Sequence, residues 1–170
     1  PISFAVNGTQ YVAVMAGYGG AYPLTSPFVD KAAGPPANGR VLVFKIGGTA
    51  TLPAKEAIVL PPANPPTTKF TAAQIAEGER LYEGSCGLCH GASVITGGVL
   101  PDLRRSTALN DPALWNSIVL DGALKDRGMI SFKQYYTPAQ VEALRGYVAA
   151  AASKLAAQEA AAPAEPPAGT

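Results

Sequence analysis

Both cysteines of this 170-residue chain and its single histidine fall within five consecutive residues, Cys86-Gly87-Leu88-Cys89-His90. No other position supplies a thiol or an imidazole, so these three groups act as one local unit or not at all. The spacing also constrains the backbone. Residues i, i+3 and i+4 project to one side of a helix, so a single turn presents both sulfurs and the ring together.

Four chemistries use such a cluster. A disulfide between Cys86 and Cys89 would close almost no loop and constrain the unfolded chain little. A structural zinc wants four protein ligands, and no further Cys or His exists to complete the set. A thioredoxin-like redox pair belongs to a βαβ context, whereas this motif closes a helical pattern. Cys-x-x-Cys-His also serves as a covalent c-type haem site, with two thioethers to the porphyrin and the imidazole on iron. The pentapeptide by itself leaves haem and the duller readings open, and its surroundings have to decide.

Those surroundings divide the chain. Hydrophobic content of 48% with 15% charge is globular, and a net charge of +1 gives no footprint for nucleic acid or an anionic membrane. No apolar run reaches the length of a membrane span, and no signal sequence opens the chain; its first residues, PISFAVNG, read as a strand already under way, which suggests a mature fragment or the end of something larger. Residues 1–53 read as a strand segment. Two β-rich runs flank Asn7-Gly8, the pair that suits a type I′ hairpin, and residues 40–46 alternate as a third strand. Residues 21–39 between them carry Pro and Gly without periodicity. Three strands with two open edges make a poor sheet alone, so the segment reads as part of a larger all-β structure. Met15, within the second run, is expected to fill a gap in its core.

Residues 54–69 form a Pro-rich linker, expected to be extended and semi-rigid. From Phe70 the period becomes helical. Thr71 with Gln74 makes a capping box, and Ile75, Gly78, Leu81 and Tyr82 share one face. Asn110 or Asp111 caps a second helix starting near Pro112, with Leu114, Trp115, Ile118 and Val119 as its apolar side. Thr137 and Gln140 repeat the capping box ahead of a stripe of Val141, Leu144 and Val148, with Tyr147 alongside. The helical domain is placed at residues 70–155, and residues 156–170 as an Ala/Pro-rich tail expected to be disordered, although the Ala-rich helix can run on to about residue 160.

The stretch "GERLYEGSCGLCHG" resembles the N-terminal helix and haem motif of class I cytochromes c. In that family a helix glycine, an aromatic four residues on and the first cysteine four beyond match Gly78, Tyr82 and Cys86, and Leu144 and Tyr147 match the crossing C-terminal helix. The resemblance implies a mainly α fold around one covalent haem c. It makes Cys86 and Cys89 the thioether donors and His90 the first iron ligand. With no second histidine, it points to Met129, in the loop before the last helix, as the other iron ligand, although Ile130 stands where the family often has proline. By the same analogy the Pro101 carbonyl accepts the His90 Nδ1–H and Leu103 lines the haem. Arg104 is a candidate partner for a haem propionate, a solvated surface arginine being the competing reading. Trp115 is foremost a core contact, with its indole N–H a candidate propionate donor. No residue is assigned a catalytic role.

The strand segment followed by a Pro-rich linker and this domain resembles the C-terminus of PQQ-dependent quinohaemoprotein alcohol dehydrogenases, in which a β-propeller holding PQQ and calcium precedes a cytochrome c. That resemblance implies an electron-transfer module in the periplasm. The propeller would be its donor, and a soluble redox protein or a membrane quinone pathway its acceptor. PQQ and calcium would belong to the parent enzyme and not to this segment. The alternative is an independent periplasmic monohaem carrier whose strands dock a partner.

Overall fold

The computed structural model describes residues 1–16, 39–53, 60–96 and 100–161. The loop expected over 21–39 falls mostly outside these residues, as do residues 54–59 of the linker and the last nine of the tail.

Three strands, β1 (Ile2–Val6), β2 (Thr9–Ala16) and β3 (Arg40–Lys45), form an antiparallel sheet in the order β1-β2-β3. Asn7 and Gly8 both take positive φ, 49° and 78°, as the hairpin turn requires, and this sets the register Val6↔Thr9 through Ile2↔Ala13. The second pairing runs from Ala16↔Arg40 to Tyr11↔Lys45. The pairs place Ile2, Phe4, Val6, Met15, Val41 and Val43 on one face, and every one of them is exposed. Met15 therefore fills no core gap: it is 86% exposed, because no described element covers that face.

The helical part is built on two long helices, α1 (Ala72–Ser85) and α4 (Pro138–Ala161), with α2 (Gly87–His90) and α3 (Pro112–Val119) between them and short 3₁₀ turns in the connections. Both capping boxes form. Thr71 Oγ1 accepts from the Gln74 N–H at 3.2 Å while Gln74 Oε1 accepts from the Thr71 N–H at 2.9 Å, and Thr137 and Gln140 repeat this. Asp111 caps α3, its Oδ1 accepting from the Ala113 and Leu114 N–H groups at 3.0 Å each. Asn110, the other candidate cap, reaches instead to the Asn64 carbonyl. On α3, Trp115 and Val119 are buried and Ile118 is half-buried, whereas Leu114 faces outward.

The core lies where α1 crosses α4, with Leu81 and Tyr82 set against Val141, Leu144 and Val148 and with Trp115, Val119, Leu109 and Val94 closing the sides. Gly78 marks the crossing: a Cβ there would sit 2.0 Å from the Ala143 carbonyl oxygen and 2.9 Å from Tyr147 Cβ. Arg145 is buried in this core yet fully engaged. It donates to the Leu109 carbonyl at 2.7 Å, pairs with Glu142 at 2.6 Å and lies over the Phe70 ring. No described helix is long and apolar enough to cross a membrane.

Two boundaries differ from the sequence reading. Residues 156–161 are helical and belong to α4, so the domain runs past residue 155, as the Ala-rich run to about residue 160 allowed, because nothing before Pro163 interrupts it. Residues 61–64 do not act as a spacer. The Asn64 N–H donates to the Arg104 carbonyl at 3.1 Å, the Ala63 N–H donates to Glu159 at 3.0 Å, and Arg105 reaches the Pro61 carbonyl.

Candidate functional site

The Cys86–His90 segment forms one tight turn at the end of α1. The Cys86 N–H closes α1 on the Tyr82 carbonyl at 2.7 Å, and the Cys86 carbonyl then accepts the N–H groups of Cys89 at 3.1 Å and His90 at 2.8 Å. Cys86 is half-buried, Cys89 exposed and His90 half-buried, and the two sulfurs are not joined.

Burial pushes the Cys86 thiol up to about 11, with the charges of Cys89 and Glu83 adding to it. A thiol so placed has no preformed thiolate character. Burial also holds the His90 imidazole below its usual pKa, partly offset by the Pro101 backbone carbonyl, so the ring is neutral and suited to bind a metal. Its Nδ1 is buried without a hydrogen bond of ordinary geometry, even though the Pro101 carbonyl acts on the ring.

Tyr82 and Glu83, adjacent on α1, hold the chain that leaves the turn. The Tyr82 hydroxyl lies 3.1 Å from both the His90 and the Gly91 carbonyl oxygens, and burial raises its pKa so that it remains a donor. Glu83 Oε1 accepts from the Ser93 N–H at 2.8 Å and from the Tyr147 hydroxyl at 3.2 Å. These bonds hold Ser93 and Val94 at φ 56° and 62°, an uncommon conformation that costs about 1–3 kcal/mol for a residue with a side chain. The complete burial of Val94 offsets it. Tyr82 was readable only as a core aromatic, and Glu83 carried no signal, since an exposed helix glutamate is ordinary. Tyr82→Phe is expected to lower stability by about 1–3 kcal/mol by leaving buried carbonyls without their donor, measured as the shift in denaturant midpoint.

The later site residues converge on the same core. Cys86, Leu103 and Met129 all pack against the buried cluster between α1 and α4. The Met129 loop is closed by its own N–H to the Leu124 carbonyl at 3.2 Å and by the Phe132 N–H to the Val119 carbonyl at 2.8 Å. The Ser131 hydroxyl also binds the Leu120 carbonyl. Tyr136, stacked on Phe132, meets Ser85 Oγ at 2.5 Å and so ties this loop to the end of α1.

Residues 73–148 match the family described as cytochrome C oxidase, cbb3-type, subunit III. The chain is 38% identical over 149 residues to the quinohemoprotein alcohol dehydrogenase ADH-IIG of Pseudomonas putida. It is equally identical, over the same length, to the dehydrogenase subunit of a quinone alcohol dehydrogenase from Gluconobacter oxydans. Each match covers 87% of this chain and 20% of the relative. The solved structure of ADHIIG from Pseudomonas putida HK5 is similar with a TM-score of 0.73 at 37% identity, across 91% of this chain and 22% of that one. Residues 73–148 thus carry a cytochrome domain, and the chain as a whole is similar to one part of quinohaemoprotein alcohol dehydrogenases. The quinohemoprotein alcohol dehydrogenase of Comamonas testosteroni is similar with a TM-score of 0.61 at 27% identity, across 90% of this chain and 21% of that one. The chain thus spans about one fifth of the length of these relatives. Matches over 87–91% of it leave too little unmatched for the strand segment to lie outside them.

A cytochrome c domain implies haem c, and the residues present fit it: one turn offers a protonated thiol, an exposed thiol and a neutral imidazole with no competing side-chain partner among the described residues. Two expectations about the surroundings change. The Trp115 indole N–H donates to the Val141 carbonyl at 3.1 Å, so it is already engaged in the α3–α4 contact and does not serve a propionate. Arg104 is not a solvated surface arginine: its side chain is 15% exposed, and it holds Asp102 through two parallel bonds of 2.8 Å. A propionate approaching Arg104 would meet an ion pair and not a lone cation. Pro101 is exposed and Leu103 half-buried.

Proposed function

We propose that the cytochrome domain holds one haem c through thioethers at Cys86 and Cys89, with His90 and Met129 as the iron ligands, and passes electrons from reduced PQQ to an external acceptor. The observation that carries this reading is the single turn that presents Cys86, Cys89 and His90 together, with burial keeping the thiol protonated and the imidazole neutral. When bound, the haem supplies a one-electron store.

The chain's own residues would keep that store in one geometry. Tyr82 and Glu83 fix the backbone on either side of Gly91, the Pro101 carbonyl orients the His90 ring and raises its basicity, and Leu103 excludes water. Arg104 with Asp102 is the charged pair beside a propionate. Neutral ligands in low-dielectric surroundings favour the less charged, reduced state.

The electron donor in this reading is a PQQ- and calcium-bearing propeller in the same or an associated chain, in the periplasm. The apolar residues exposed on the face of β1–β3 and the two sheet edges that are unpaired among the described residues support a sheet completed by further strands. A soluble redox protein or a membrane quinone pathway would take the electrons onward.

An alkaline pyridine haemochrome spectrum of the matured chain is expected to show one haem of the c type, covalently held. A haem that organic extraction removes, or none, overturns the site. Adding PQQ, calcium and an alcohol to this chain alone is expected to leave the haem oxidised, whereas rapid reduction would place the alcohol chemistry in this segment and overturn the module reading.

A further inference from the structure

The linker is anchored at both ends. At its start, Arg40 on β3 donates to the Pro53 carbonyl at 2.8 Å. At its end, residues 61–64 lie along the cytochrome domain and meet an ion pair there. Arg105 reaches Glu159 Oε1 at 2.7 Å and the Pro61 carbonyl at 2.5 Å, and the other Glu159 oxygen takes the Ala63 N–H. Asp102 stands 3.5 Å from Arg105 Nε and steadies it from the other side. Two bonds to Asn64 extend the contact, one to the Arg104 carbonyl and one from the Asn110 side chain. An isolated ion pair at the surface holds little, but this one binds two backbone groups of a single short segment, and Arg104 and Asn110 bind two more beside it. Glu159 lies beyond residue 148, where the family match ends, on the final turns of α4.

We propose that Arg105 and Glu159 are positioning residues that clasp residues 61–64 to the cytochrome domain and so shorten the tether between that domain and the strand segment. With the clasp closed, the stretch from Pro53 to Pro61 spans at most about 28 Å. With the clasp open and the two Asn64 bonds released with it, the chain from Pro53 to Phe70 spans up to about 60 Å. Effective concentration falls roughly as the −3/2 power of tether length, so full release lowers the encounter of the domain with its neighbour about threefold. The purpose of the clasp, confining the haem near its electron donor, rests on the function proposed above; the clasp itself does not.

The test separates the two. Nitroxide labels at Ile46→Cys and Lys154→Cys, both exposed, report the distance between sheet and domain in the haem-loaded full chain. Glu159→Ala is expected to broaden that distribution and move it to longer distance by on the order of 10 Å, and to speed hydrogen exchange at the Ala63 amide. Glu159→Gln keeps an acceptor for Ala63 but loses the charge, so it is expected to fall between. Haem content and reduction potential stay at wild-type values in both. An unchanged distribution in both Glu159→Ala and Arg105→Ala overturns the clasp, whatever the haem spectrum shows. A normal clasp in a chain that binds no haem overturns only the proposed function.

Discussion

Gly78→Ala is expected to destabilise the haem-loaded chain by about 3 kcal/mol or more, read as a fall in the apparent melting temperature on the order of 10 °C or greater. Alanine is the better helix former by about 1 kcal/mol, so local propensity predicts the opposite sign. The tertiary contact decides. The added Cβ would sit 2.0 Å from the Ala143 oxygen and 2.7 Å from its carbonyl carbon, which is backbone that no rotamer change can clear. The helices would have to separate, opening the Leu81, Tyr82, Leu144 and Val148 contacts and the 5.4 Å approach of the Tyr82 and Tyr147 rings. A variant within about 0.5 kcal/mol of wild type, the range of a neutral surface change, would mean that α1 and α4 do not cross at this point.

Met129→Ala is expected to abolish the sulfur-to-iron charge-transfer band and to lower the reduction potential by on the order of 100 mV, within the span of about 0.8 V that axial ligands control. A thioether favours the reduced metal, so its removal moves the potential down. The half-buried Met129 side chain packs against the same core cluster as Cys86, and its loop is closed by backbone bonds to Leu124 and Val119. That anchoring suggests a loop that keeps its path when the sulfur is lost. An unchanged band and potential would remove Met129 from the iron. The other methionine, Met15, is a weak substitute, standing exposed on β2 in the strand segment.

Much of the fold was legible in residue order because it rests on short-range chemistry. Capping boxes at Thr71 and Thr137, the Asn7-Gly8 turn and the Cys86–His90 turn each depend on groups within a few residues of one another. The crossing at Gly78 was legible for a different reason, the resemblance to class I cytochromes c, in which a glycine at this place admits the C-terminal helix. Less was legible about what side chains do once apolar positions meet. Trp115 read as a core residue with an N–H to offer, and only the packing of α3 on α4 gives that N–H to Val141. Met15 read as a core residue because strand methionines commonly are, and the sheet leaves its face uncovered.

By itself, the sequence determined that two thiols and one imidazole act as a single unit on one turn, and that helices flank it. Both follow from spacing along the chain, to which an i, i+3, i+4 pattern responds directly. The tertiary structure alone decided how far that unit is buried, and the burial raises the Cys86 thiol and lowers the His90 imidazole. It alone decided which partners Trp115, Arg104 and Glu83 take. It also drew Pro61, Arg105 and Glu159 together from positions 44 and 54 residues apart, an arrangement no local pattern encodes because ion pairs and carbonyl contacts carry no periodicity.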